Sequence, residues 1–284
     1  LTPEEEAVMA KIKTSFINSE KLQRHIRFLF SKGSIYTICN SNLLYHGCIP
    51  LNADGSLKEV EFRGKRMKGR EYLDAVDRAT REGYFGQRHS ASKRACMDII
   101  WYLWCGADSP LFGKKKMTTF ERYFIEDKET HKEKKNAYYH LWENEEVVNH
   151  MLEEFGLNPE EGHIINGHVP VHQLEGENPV KCNGKVIVID GGFCEAYRNV
   201  TGIAGYTLIY SSYGLSLTAH EPFTSAEDAV ATERDIVSNR VAVRYNPRRV
   251  LVGDTDNGKA LKERIQELKQ LLDAYRKGVI KEKK

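Results

Sequence analysis

The chain has 284 residues, 40% of them hydrophobic and 29% charged, enough apolar material for a sizeable core in an ordinary globular protein. Its 42 basic and 40 acidic residues nearly cancel to a net charge of +2, which gives no global attraction to nucleic acid or to an anionic membrane. No apolar run reaches spanning length, and the six cysteines show neither a C-x-x-C pair nor zinc-ribbon spacing, so they read as thiols of a reducing cytosol rather than a disulfide framework.

Thr2-Pro3-Glu4-Glu5 predicts a capped helix running to about Phe16, and Asn18-Ser19-Glu20 restarts a second that Gly33 stops. Two strands, 34–39 and 42–46, follow around the polar turn Asn40-Ser41-Asn42, leaving His46 at a strand end. A short exposed strand is expected at 58–62, then helices over 70–82 and 91–105, the second carrying Trp101 and Trp104 as core residues. Residues 106–122 read as a long polar loop with a lysine triplet, and 128–135 as a solvated charge run. An amphipathic helix is expected over 144–155 and buried strands at 163–166 and 185–190, with the Gly167-His168 turn and a polar hairpin, 175–184, between them. An antiparallel pair (206–211 and 215–219), a short helix from Ser225, strands at 240–244 and 250–252 and a final helix over 259–275 complete the chain. The pattern is a mixed α/β fold, taken as one domain: a helical lead-in (1–33), a sheet-containing core (34–255), and a C-terminal helix with a basic tail (256–284).

Three apparent motifs fail on inspection. Gly113-Lys114-Lys115-Lys116 lacks the preceding Gly and strand of a P-loop. Asp254-Thr255-Asp256-Asn257-Gly258 lacks the sixth-position Gly and closing Glu of a calcium loop, and His220-Glu221-Pro222 cannot continue as a zinc-binding helix through its Pro. The sequon Asn199-Val200-Thr201 has no signal peptide before it and reads as chance.

What remains are two imidazoles at strand ends, in Leu44-Tyr45-His46-Gly47-Cys48-Ile49-Pro50 and Ile165-Asn166-Gly167-His168-Val169-Pro170. These segments resemble the Val-His-Gly-Gly and late histidine segments of calcineurin-like metallophosphoesterases. Cys96-Met97-Asp98-Ile99-Ile100-Trp101 and Asp108-Ser109-Pro110 resemble the phosphatase segment leading to a phosphate-contacting Arg, near which Arg122 falls. Val188-Ile189-Asp190-Gly191-Gly192-Phe193-Cys194 is similar to the loop that places an aromatic over the metals. The stretches Phe-Ser-Lys-Gly-Ser-Ile-Tyr, Thr-Thr-Phe-Glu-Arg-Tyr-Phe and Ile-Ala-Gly-Tyr-Thr-Leu-Ile-Tyr resemble bacterial class 3 fructose-1,6-bisphosphatases, and this likeness covers essentially the whole chain.

The resemblance implies part of a metallophosphoesterase-type fold, mixed sheets flanked by helices, and a cytoplasmic enzyme of gluconeogenesis that hydrolyses fructose 1,6-bisphosphate with manganese. Two metals ~3.5–4 Å apart would bind the phosphate and supply a bridging hydroxide. It implies His46 and His168 as metal ligands and Arg122 as a clamp on phosphate oxygens, with Lys114 and Lys116 for the sugar's second phosphate. The alternative for Arg122 is a surface ion pair with Glu121 or Glu126, and His172 is a supporting or surface residue. The family's Asp-x-His, Gly-Asp-x-x-Asp and Gly-Asn-His-Asp motifs do not occur, and with the last the usual general acid is lacking. The chain, which opens on Leu1 rather than Met, is therefore expected to be the C-terminal part of a longer enzyme. It would be inactive alone, with no catalytic residue of its own and with the N-terminal part as partner. A non-catalytic interaction or regulatory module, a phosphoprotein phosphatase part, and a homo-oligomer remain open.

Overall fold

The structure, a computed structural model, describes residues 1–191, 198–202, 205–220, 224–233 and 238–281. In chain order its principal elements begin with helices α1 (Pro3–Asn18) and α2 (Glu20–Lys32), strands β1 (Tyr36–Cys39), β2 (Asn42–Tyr45), β3 (Val60–Phe62) and β4 (Lys65–Met67), and helices α3 (Gly69–Phe85) and α4 (Ala91–Cys105). Then come short helices α5 (Thr119–Phe124) and α6 (Tyr138–Leu141), helix α7 (Glu145–Glu154), strands β5 (His163–Asn166), β6 (Val180–Lys181) and β7 (Val186–Val188), and the short α8 (Arg198–Thr201). Strands β8 (Gly205–Ser211) and β9 (Gly214–His220), helix α9 (Ala226–Thr232), strand β10 (Ser238–Tyr245) and helix α10 (Asp256–Arg276) follow. This is a mixed α/β fold with sheets flanked by helices. Its residues group into two units, Leu1–Thr37 with His46–His140 and Ile38–Tyr45 with Leu141–Lys284.

In the first unit, α1 starts as its capping box dictates: Thr2 Oγ1 accepts from the Glu5 amide, and Glu5 Oε2 accepts from the Thr2 amide at 2.7 Å. Neither α1 nor α2 buries a residue. The core begins with α3, which buries Tyr72, Leu73, Val76 and Ala79 and crosses α4 closely at Gly83, where a Cβ would stand 2.9 Å from the Cys96 carbonyl oxygen. Only Cys96 and Leu103 of α4 are buried. The expected core tryptophans lie on its other face, Trp101 65% and Trp104 59% exposed, their rings in edge-to-face contact at 5.1 Å. A helix docked by one face covers only the residues on that stripe, and hydrophobicity alone does not say which stripe it is. The short strand at 58–62 is half of a hairpin, β3 with β4, and Val60 and Phe62 face inward rather than out.

The second unit carries a sheet in the order β1-β2-β5-β7-β6. Strands β2, β5 and β7 are parallel, with Leu44 opposite Ile165 and Ile165 opposite Ile187, while β6 runs antiparallel to β7. Leu43, Ile164, Val186 and Ile187 are fully buried, as an interior strand of a two-sided sheet requires. Lys185 ties α7 to the start of β7 through Asn149 Oδ1 at 2.7 Å and Glu145 Oε1 at 2.9 Å. A second sheet, β10-β9-β8, is antiparallel, with a bulge between Ala242 and Arg244. The strand expected at 250–252 is absent: Val252–Asp254 form a single 3₁₀ turn leading into α10.

Candidate active site

Parallel strands leave the sheet at a common end, and their C-terminal ends are where α/β folds place ligands. Here Tyr45, Asn166 and Val188 stand in register. Beyond Asn166, which is 1% exposed, the chain enters a turn whose central residue, His168, has φ +66°. The Val169 amide donates to the Gly167 carbonyl at 2.8 Å across it. A three-residue turn of this kind is strained for any residue but Gly, and such strain persists where the surroundings over-determine it. Two further bonds do so: the Ile189 amide donates to Asn166 O and the Val171 amide to Asp190 O, both at 2.9 Å. The turn therefore holds a half-buried imidazole beside the end of β7. His172 follows four residues on, its amide donating to Glu177 Oε2 at 2.9 Å and its Nδ1 lying 3.7 Å from Glu175.

His46 follows β2 directly and is exposed, in the first unit, whereas His168 belongs to the second. The segment behind His46 is pinned. The Cys48 amide donates to Pro110 O at 2.9 Å, and a Cβ on Gly47 would stand 2.2 Å from the same oxygen, so only glycine allows this approach. Cys48 is fully packed, and burial, then the Asp108 carboxylate, push its thiol far above the usual range, which makes it inert as a nucleophile. Asp108, at φ +61°, receives both contacts of Lys58 Nζ at 2.6 and 2.7 Å.

The three cations singled out from the sequence gather around residues 130–133. Lys114 Nζ pairs with Glu133 Oε2 at 2.6 Å, and Lys116 Nζ donates to the Thr130 carbonyl at 3.0 Å. Arg122 donates through Nε to Thr118 Oγ1 at 3.0 Å and through Nη2 to His131 O at 3.1 Å, so its partners are neutral oxygens rather than Glu121 or Glu126. Glu133 also accepts from the Thr118 amide and hydroxyl. Burial alone would raise its carboxyl, but the bonds from Lys114 and Thr118 prevail and hold it at about 2. The run 128–135 is thus not simply a solvated face: Glu133 is its structural centre, a role visible in the sequence only as one acid among lysines. The loop 106–122 is also more ordered than its composition suggests, since Lys114 and Lys135 form an antiparallel bridge and α5 begins at Thr119.

Among the described residues no group of three or more His, Cys, Asp or Glu side chains could hold a metal ion. The described residues by themselves therefore do not complete a metal site. Gly192, Phe193 and Cys194 of the expected aromatic loop, and Glu221 and Pro222 after His220, lie outside the described residues. No described helix is long and apolar enough to cross a membrane.

Comparison with known proteins covers the same length as the fold. A family profile described as Firmicute fructose-1,6-bisphosphatase matches residues 1–277. The chain is 57% identical over 282 residues to a fructose-1,6-bisphosphatase class 3 of Clostridium novyi (strain NT), and 58% identical over 282 residues to one of Clostridium botulinum (strain 657 / Type Ba4). Each alignment takes in 99% of this chain and 42% of the relative, so the chain spans less than half the length of the curated relatives it matches. No solved structure matches it significantly.

Proposed function

The chain belongs to the Firmicute fructose-1,6-bisphosphatase family, and on that premise we propose that the intact protein hydrolyses fructose 1,6-bisphosphate to fructose 6-phosphate and phosphate in the cytoplasm. The observation that carries this reading is the likeness over 99% of the chain at 57% identity, far above what fold alone would require. The order of the matching segments supports placing the chain in the C-terminal part of the longer enzyme.

In this reading the metal is manganese, and His46 and His168 each contribute one imidazole to a pair of ions whose other donors belong to the rest of the longer protein. The pinned Gly47 segment and the strained Gly167-His168-Val169 turn support it, because both fix the backbone that carries the imidazole. Arg122 clamps phosphate oxygens through its planar fork. Lys116, whose described contact is with a neutral carbonyl, suits the second phosphate better than Lys114, which would first have to leave Glu133.

Phosphate release from fructose 1,6-bisphosphate by the full-length protein, with manganese supplied, tests the proposal. Turnover of a phosphopeptide with none of the sugar bisphosphate would overturn it. The 284-residue chain alone is expected to be inactive, and Arg122→Ala in the full-length protein to lower kcat/KM about 100-fold, as loss of one charge-stabilising donor does elsewhere. A second reading, a non-catalytic interaction module, is favoured by α1 and α2, two helices that bury no residue of their own. Sedimentation of the chain alone and mixed with the rest of the enzyme tests this second role, since a monomer with no affinity for that part would speak against it.

A further inference from the structure

Helix α10 is tied to its own unit at its first turn. The Asn40 amide donates to Asp256 Oδ2 at 2.6 Å, and the Asp256 amide donates back to Asn40 Oδ1 at 2.9 Å. Beyond Gly258 no residue of the helix is buried. Along this uncovered length Leu261, Ile265, Leu268, Leu272 and Tyr275 recur at alternating spacings of four and three, each 42–57% exposed. That repeat is the apolar seam of a coiled coil, with Ile265 and Leu272 at a and Leu261, Leu268 and Tyr275 at d. Apolar side chains in such a repeat gain stability when a facing helix removes them from water, so a helix of this pattern left in water is short of a partner.

The residues beside the seam say what kind of partner. Lys262, Lys269 and Arg276 occupy the e positions and Arg264 and Leu271 the g positions, while Glu263, Glu267 and Asp273 lie away from the seam. Lys262 donates to the Gly253 carbonyl at 2.8 Å and Arg264 pairs with Glu267 at 2.7 Å, so Lys269 and Arg276 are the cations beside the seam for which no such contact is described. A second copy of α10 fits poorly: parallel pairing sets Arg264 of one copy against Lys269 of the other, and antiparallel pairing sets lysine against lysine. A membrane surface fits poorly as well. Helices that lie in the interface present a broad apolar face with Trp or Phe, whereas this face is an a/d stripe widened only by Leu271, and its one aromatic is Tyr275.

We propose that α10 is one strand of a two-helix coiled coil whose other strand carries Glu or Asp beside its own apolar seam. The seam from Leu261 to Tyr275 spans about 22 Å at ~1.5 Å per residue, which is two heptads and gives a reversible rather than a permanent contact. This holds whether or not the intact protein is a phosphatase.

The probe is a fluorescein-labelled helical peptide with Leu at its a and d positions and Glu at e and g, compared with one carrying Lys at e and g. Both are titrated against the 284-residue chain by fluorescence anisotropy. The Glu peptide is expected to bind at least tenfold more tightly, and high salt to narrow the difference. Ile265→Asp with Leu268→Asp, both at exposed positions, should abolish binding with an unchanged circular dichroism spectrum. Lys262→Glu with Lys269→Glu should invert the preference between the peptides. Equal affinity for the two peptides, no binding of either, self-association through α10, or preference for phosphatidylserine vesicles over the Glu peptide would each overturn the proposal.

Discussion

Replacing Gly47 with Ala tests whether the His46 segment is held by a close backbone approach. The added methyl would stand 2.2 Å from Pro110 O, 3.0 Å from Leu111 O and 3.1 Å from the Leu111 carbonyl carbon, all backbone atoms that cannot swing aside. A carbon needs ~3.3 Å from an oxygen, so the two segments must part by about 1 Å. That separation breaks the bond from the Cys48 amide to Pro110 O, now 2.9 Å. Loss of the bond costs about 1 kcal/mol and the crowding about 1–3, for a total of about 2–4 kcal/mol. With a urea dependence of ~2 kcal/mol per molar, the unfolding midpoint should fall by about 1–2 M. Hydrogen exchange locates the damage: the Cys48 amide should lose protection in Gly47→Ala before the α3 amides do. A variant within about 0.5 kcal/mol of the parent, with Cys48 still protected, would refute the argument from close approach.

Removing buried volume from α4 should cost far more than removing its exposed rings. Leu103→Ala is expected to destabilise by about 2–5 kcal/mol and Trp101→Ala by under about 1, measured by urea denaturation; the reverse order would restore the tryptophans to the core. His163 is buried, and that burial, then the Arg244 guanidinium, push its imidazole down to about 4, below the usual 6.5. Below pH 6.5 the unfolded chain therefore binds a proton that the folded chain refuses, so stability should be full above pH 6.5 and fall as pH drops toward 4; an equally steep fall in His163→Gln would exclude His163 as the cause. Glu133, held at about 2 against an ordinary 4.5, shifts in the sense usual for a paired acid. Its contribution is present above about pH 4.5 and lost as pH falls toward 2, so protection of the Thr118 amide should fade across that window in the parent chain, and Glu133→Gln should show it weakened already at neutral pH.

Local chemistry carried much of this protein. Thr2 and Glu5 announced the start of α1, Gly33 the end of α2, and the span of α4, Ala91–Cys105, is the one that periodicity and flanking residues predict. These are interactions between residues a few positions apart, which a linear sequence displays directly. The family motifs likewise sit in contiguous segments, so His46, His168 and Arg122 could be picked out as candidates. Tertiary structure alone decided the rest. It paired Asn42–Tyr45 with His163–Asn166 across more than a hundred residues, turned Trp101 and Trp104 outward, and gave Lys114 its partner Glu133. It also set His168 at φ +66°, a conformation uncommon for any residue but glycine that the sequence around it does not announce. Strand pairing, the choice of buried face and ion-pair partners depend on which distant segments the chain brings together. That closure is settled by the summed burial of the whole core, whereas caps and turns are settled where they stand.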